Sequence, residues 1–337
     1  MRDLVALPKV ELHVHLEGSI RVETVHELAD RNGVAVPLAL TNAGWRFRNF
    51  VDFIEQYVAM CDLLTRIDDF RRAAYEFCED LSLAGVRYAE AAFSPSNHAE
   101  RMNDWFGPIE AALDGLAAGE RAFGVQVRLC PDIVRDLGME PAERVLQVAL
   151  TFAGRGVIAL NAAGSERAAV APFGALFRRA KDAGLRSVPH AGEWAGPTSV
   201  WQTLNSYEPD RLGHGVRSIE DRALVEHLTE VQIPLEICPV SNVATGVYPS
   251  LQAHPLPRLR EAGVVVTLNS DDPPMFGAWL DDVYAAARDA WGYSDDDLAA
   301  LARAGVAASF ADADLKRDVL DGIDAWLATD GASSVAR

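Results

Sequence analysis

Short apolar runs alternate along the 337 residues with segments whose apolar positions recur every three or four. Runs of the first kind read as strands buried on both faces, and segments of the second as amphipathic helices. The pattern predicts strands near 10–16, 86–93, 124–130, 156–161, 186–191, 211–214, 233–238 and 263–269. Helices are predicted near 21–32, 68–84, 107–121, 140–153, 171–184, 197–206 and 219–230, with a short one near 255–262. Three more, near 278–291, 295–309 and 312–328, follow the last strand. Eight strands with intervening helices make an α/β protein best accommodated as a closed TIM (β/α)8 barrel, with its chemistry at the C-terminal strand ends.

One stretch breaks the alternation. Residues 41–66, carrying Trp45, Phe47, Phe50, Phe53, Ile54 and Tyr57, read as a short helical insertion after strand 1. Because it follows a strand end, it is a candidate lid. No Pro/Gly/Ser-rich linker and no short repeat divides the chain, so a single domain over 1–337 is expected.

Composition narrows the classes. Hydrophobic content of 49% and a mean hydropathy near zero suit a packed globular core, and no run of about twenty apolar residues could span a bilayer. The first residues lack an apolar core followed by a cleavage site, so a cytoplasmic location is expected. Cys61, Cys78, Cys130 and Cys238 are widely spaced in apolar sequence and read as buried free thiols. A formal net charge of −18 argues against nucleic-acid and anionic-membrane partners. A homo-oligomer is compatible with all of this.

The candidate chemistry sits at predicted strand ends. In a strand, i and i+2 share a face, so His13 and His15 project side by side while Val10, Leu12, Val14 and Leu16 take the other face. The fifth strand ends in His190 with Glu193 three residues on, the sixth in His214 between two glycines, and the eighth in Asp271-Asp272-Pro273. Each alone has an ordinary explanation, but three imidazoles and an aspartate converging on one barrel face form a set that zinc accepts. Lysines occur only at 9, 181 and 316, none at a strand end where a carboxylated lysine could bridge two metals, so one Zn2+ per chain is expected. A water held by such a metal becomes acidic near neutrality. His214 and Asp271 can orient and deprotonate it, Glu193 can act as general acid, and Asp272 can hold a heterocycle by one hydrogen bond. That is a hydrolytic site for attack at an sp² carbon. His26 and His227 fall in predicted helices as solvent-facing residues, and His98 and His254 fall in loops without a role.

Five ordered segments resemble the adenosine deaminase family: Leu12-His13-Val14-His15-Leu16-Glu17-Gly18, His190-Ala191-Gly192-Glu193, Leu212-Gly213-His214-Gly215, Cys238-Pro239-Val240-Ser241-Asn242 and Asn269-Ser270-Asp271-Asp272-Pro273. The resemblance covers almost the whole chain. It implies zinc held by His13, His15, His190 and Asp271. It further implies Glu193 protonating purine N1, His214 handling the attacking water, Asp272 bonding N7 and the Gly164 N–H meeting N3. The reaction implied is replacement of a 6-amino group by oxygen, with ammonia released.

Departures from the family bear on the substrate. Glu17 stands where members acting on adenosine often have Asp, near the ribose 5′ end, and Asn161 and Ser165 replace acids of the animal enzymes. The continuation Pro274-Met275-Phe276-Gly277 partly resembles the adenine deaminase branch, whereas the Gly164 segment resembles the nucleoside branch. The bacterial branch acting on 6-aminodeoxyfutalosine, a menaquinone precursor with an enlarged 5′ substituent, is similar overall. An adenine nucleoside, 6-aminodeoxyfutalosine or adenosine, is therefore expected ahead of free adenine. A different metal hydrolase and a catalytically inactive purine-binding protein are the remaining alternatives. Zinc deaminases built on Pro-Cys-x-x-Cys are excluded by the missing cysteine pair.

Overall fold

The computed structural model describes residues 1–41 and 43–329. Its eight barrel strands follow chain order: Lys9–His15, Val86–Phe93, Gln126–Val134, Ala159–Ala163, the interrupted Arg186–Ser187 and His190–Ala191, Leu212–His214, Leu235–Ile237 and Val266–Leu268. Neighbours pair in parallel around the ring. The fifth strand is interrupted at Pro189, which has no N–H for the ladder. Its carbonyl still accepts from Gly213 N–H at 3.0 Å, and Val188 N–H donates to Leu160 O at 3.1 Å.

The ring closes at the candidate site. His15 N–H donates to Asp271 O at 2.8 Å and Asp271 N–H to His13 O at 3.0 Å. All seven residues of the first strand are buried. Val10 lies against Gly305 of the helix Asp295–Ala308, where an added Cβ would come within 3.0 Å of the valine. The alternate positions Glu11, His13 and His15 therefore face the barrel interior, as the period of two requires.

Several elements differ from the sequence-based expectation. The insertion is a two-strand hairpin, Leu40–Thr41 with Gly44–Trp45, followed by one helix, Phe50–Cys61, rather than several short helices. Asn49 starts that helix by accepting from Asp52 N–H at 3.1 Å. The third strand runs on to Val134, which carries Asp132 into the barrel interior. The helix expected at 219–230 begins at Arg222 because Asp221 caps it, accepting from Ala223 N–H at 2.9 Å. Short helices Ser96–Met102 and Pro239–Ala244 were not expected. Helices Leu280–Trp291, Asp295–Ala308 and Ala313–Ala328 follow the last strand as expected. Residues 330–337 of the expected single domain lie outside the described residues. The four cysteines are buried and free, and among the described residues no helix is long and apolar enough to cross a membrane.

Candidate active site

Three strand ends bring His13, His15, His190 and Asp271 together. His190 Nε2 lies 3.3 Å from His15 Nε2, and Asp271 Oδ1 lies 3.4 Å from His15 Nε2 and 3.6 Å from His13 Nε2. Ligands about 2.0–2.1 Å from one tetrahedral zinc ion stand about 3.3 Å apart, so the spacing is that of a metal centre. The donors are also oriented. His13 Nδ1 bonds Glu236 Oε2 at 2.9 Å, and His190 Nδ1 bonds Asn161 Oδ1 at 3.1 Å, which leaves each Nε2 lone pair facing the centre. Asp271 Oδ2 accepts from Ser241 Oγ at 2.7 Å. His13 Nε2 is buried with no hydrogen-bond partner.

Electrostatics point the same way. Burial, aided by neighbouring imidazoles, drives the pKa of His190 well down, and burial also lowers that of His15. Both are neutral and free to ligate. Burial opposes ionisation of Asp271, but His214, His13 and His15 outweigh it and hold its pKa low. Burial likewise disfavours the His13 proton, yet Glu236 and Asp271 prevail and raise its pKa. The cluster asks for positive charge at its centre, and the residues fit a zinc ion.

Glu193 and Asp272 flank this centre. Glu193 Oε2 stands 3.7 Å from His214 Nε2. Burial first, then Asp271, raises the pKa of both acids well above the ordinary carboxylate range, which favours the protonated form. Asp272 Oδ1 is buried without a partner. Gly18 makes room for it, since a Cβ there would lie 1.6 Å from that oxygen. Gly213 does the same for His13, whose Cε1 would be 2.7 Å from an added Cβ.

His214 and Asp271 both hold positive φ, 57° and 70°, a conformation that non-glycine residues keep only where the surroundings impose it. A relay sets the tautomer of His214. Leu256 N–H donates to His254 Nδ1 at 3.2 Å, so His254 Nε2 carries the hydrogen and donates to Asn242 Oδ1 at 3.1 Å. The Asn242 amide group then faces His214 Nδ1 at 3.4 Å. His214 Nε2 is thereby left as a donor facing the centre. Burial lowers its pKa to about 3, so it is neutral.

Gly164, with φ of 79°, lines the cavity beside these groups. Glu17, expected near the substrate's 5′ end, opens the turn Glu17–Ser19 after the first strand. It is almost fully buried, lies outside the cavity lining, and its Oε1 accepts from Ser94 N–H at 2.8 Å and faces His98 Nε2 at 3.1 Å. Through that bond it holds Ser94, which does line the cavity. His98, expected in a loop without a role, sits buried on Ser96–Met102. His254 is likewise buried and part of the relay. His26 is exposed as expected, while His227 is half-buried against Trp201.

Sequence reasoning missed four supporting groups. Glu236 is the one charged residue of an otherwise apolar barrel strand, a signal that could have found it. Arg211, fully buried, pairs with Glu236 and Glu90 and neutralises them inside the barrel. Asp132, on the overlooked extension of the third strand, accepts from Ser94 Oγ at 2.9 Å. Glu166 accepts from the backbone after His190, and nothing in its local pattern marked it.

Over these groups opens a cavity of about 810 Å³, its solvent-open mouth included. The helix Phe50–Cys61 forms one wall with Phe50, Phe53, Ile54, Tyr57 and Val58. Phe50 packs on Trp194 with ring centroids 4.8 Å apart, and Tyr57 on His15 at 5.9 Å. An apolar wall facing converging polar groups is the usual make-up of a small-molecule site.

A barrel whose strand ends gather three imidazoles, an aspartate and a buried glutamate of raised pKa defines a metal-dependent hydrolase. The family described as "Adenosine deaminase" matches residues 8–326, and the chain belongs to that family. It is 41% identical to an aminodeoxyfutalosine deaminase of Streptomyces coelicolor over 97% of this chain and 87% of the relative. Among solved structures, an adenine deaminase of Arthrobacter aurescens superposes with a TM-score of 0.88 at 30% identity, covering 96% of this chain and 99% of that one. An amidohydrolase of Burkholderia ambifaria with bound Zn gives a TM-score of 0.87 at 25% identity, covering 96% and 92%. The chain is thus a hydrolase, an aminohydrolase of the adenosine deaminase type.

Proposed function

We propose that this enzyme removes the 6-amino group of an adenine nucleoside, 6-aminodeoxyfutalosine ahead of adenosine, using one zinc ion per chain. The observation that carries the chemistry is Glu193, buried 3.7 Å from His214 Nε2 beside the metal-binding cluster, with its pKa raised by burial and by Asp271. The identity with the Streptomyces relative supports the choice of nucleoside.

His13, His15, His190 and Asp271 would hold the zinc. When bound, the metal supplies a Lewis acid that makes a water molecule acidic near neutral pH. Every other part is performed by side chains. The His214 Nε2–H orients the attacking oxygen, and the free lone pairs of the ionised Asp271 accept its proton. As oxygen adds to C6, negative charge develops on N1, and Glu193 donates its proton there. Asp272, protonated with Oδ1 unpartnered, donates to N7. The Gly164 N–H faces N3. The proton taken from the oxygen then passes to the amino group, which departs as ammonia as the C6–N bond breaks; the remaining hydrogen of the C6 hydroxyl returns to Glu193, which leaves the 6-oxo product and restores the acid. Burial of both acids makes these donors available at neutral pH.

A second reading, deamination of free adenine, is supported by the Arthrobacter structure and by the apolar wall of Phe50, Phe53 and Ile54. The reading also places the whole chain in one cytoplasmic catalytic domain. Ammonia release by zinc-loaded protein from 6-aminodeoxyfutalosine, adenosine and adenine in parallel separates the substrates. The expected order is as named, with adenine slowest; adenine fastest overturns the nucleoside, and silence on all three overturns the reaction.

A further inference from the structure

Resting on that reading, we propose that Glu166 is the positioning residue that fixes Glu193 and the Gly164 turn in one frame. Glu166 follows the fourth strand and reaches across to the turn after the fifth. Its Oε1 accepts from Glu193 N–H at 2.9 Å, Trp194 N–H at 2.7 Å and Ala195 N–H at 3.3 Å. Its Oε2 accepts from Gly192 N–H and from Ser199 Oγ at 2.6 Å. Five donors thus converge on one carboxylate. Charge-assisted bonds to backbone N–H groups are among the strongest a side chain makes.

The turn needs this hold. Gly192 has a φ of 72°, and the chain from there to the helix Pro197–Tyr207 has no ladder of its own. Without an acceptor its N–H groups would be partly buried and unpaired. The other end of the tie is also anchored. Arg135, buried, donates to Ala163 O at 3.1 Å, Gly164 O at 3.0 Å and His190 O at 3.3 Å. Asp136 Oδ2 accepts from Ser165 N–H at 2.6 Å. Glu166 therefore joins two neighbouring strand ends, one presenting the Gly164 backbone and the other the acid. Its own role is indirect: it sets where Glu193 stands relative to the base.

The test compares Glu166→Ala, Glu166→Gln and wild type for zinc content, kcat, KM and hydrogen exchange of the 191–196 amides. In Glu166→Ala, exchange of these amides rises, kcat falls about 10²-fold, as for a reacting group displaced by about 1 Å, and KM and zinc content stay within about threefold. Glu166→Gln keeps an oxygen for three of the N–H donors, and recovers kcat to within about tenfold of wild type and most of the protection. Unchanged exchange in the Ala variant, or a loss confined to KM, overturns the proposal. The Gln variant and the exchange data decide the matter if the Ala variant folds poorly. Should wild type release no ammonia, the functional reading fails, while exchange still reports on the Glu166 tie.

Discussion

The floor of the cavity and its cap are built on opposite principles. On the floor, three of the four candidate ligands are fixed by a second group: His13 by Glu236, His190 by Asn161, Asp271 by Ser241. His13, His190, Glu236 and Asn161 stand on barrel strands, and Asp271 is tied to the first strand by two backbone hydrogen bonds. The cap is one helix, Phe50–Cys61, held over the cavity by aromatic contacts such as Phe53 on Phe276 at 5.1 Å. Its outer face leaves Val51 65% exposed. Directional bonds hold a geometry to fractions of an ångström, whereas apolar packing tolerates changes of shape. On the proposed function, the floor defines the reaction and the cap is the part that would adapt to the group beyond N9.

The contrast breaks most sharply at Asp271. Asp271→Ala removes a ligand and the proton acceptor together, so bound zinc is lost and turnover falls by more than about 10⁴-fold. Metal analysis of the purified variant checks this; full occupancy would contradict the ligand assignment. Glu193→Gln comes next, retaining zinc while kcat drops about 10²–10⁴-fold. Because its pKa is raised, Glu193 is an acid below that pKa and loses its function as pH climbs through it. The kcat profile of wild type should thus fall on the alkaline side, and the Gln variant should lack that fall.

Smaller effects separate floor from cap. Glu236→Gln leaves Arg211 without one of its two buried carboxylates and loosens His13. Zinc affinity should weaken about 10–100-fold by competition with a chelator, with KM little changed. Phe50→Ala should do the reverse, keeping zinc and altering relative kcat/KM between adenosine and 5′-enlarged nucleosides by about 3- to 10-fold. Equal rates on all 5′ variants would remove the cap from substrate choice.

Sequence made the floor legible and left its supports hidden. The His13-x-His15 pair needs only the strand period, and His190, His214 and Asp271 follow from strand ends of a barrel. Glu236, Arg211 and Glu166 act on residues of other strands, 25 or more positions away, and the local sequence does not name such a partner. The burial of Glu17 was not legible because a motif gives position along the chain and not depth. The Glu17 carboxylate turns to Ser94 and His98. His98 itself was hidden by a short helix without a clear apolar period, Ser96–Met102.

The most direct test of the account is zinc titration of chelator-stripped protein while ammonia release from 6-aminodeoxyfutalosine is followed. The account predicts no release at the start and a linear rise that saturates at one zinc per chain. Release without zinc, saturation at two, or one bound zinc with no ammonia formed would contradict it.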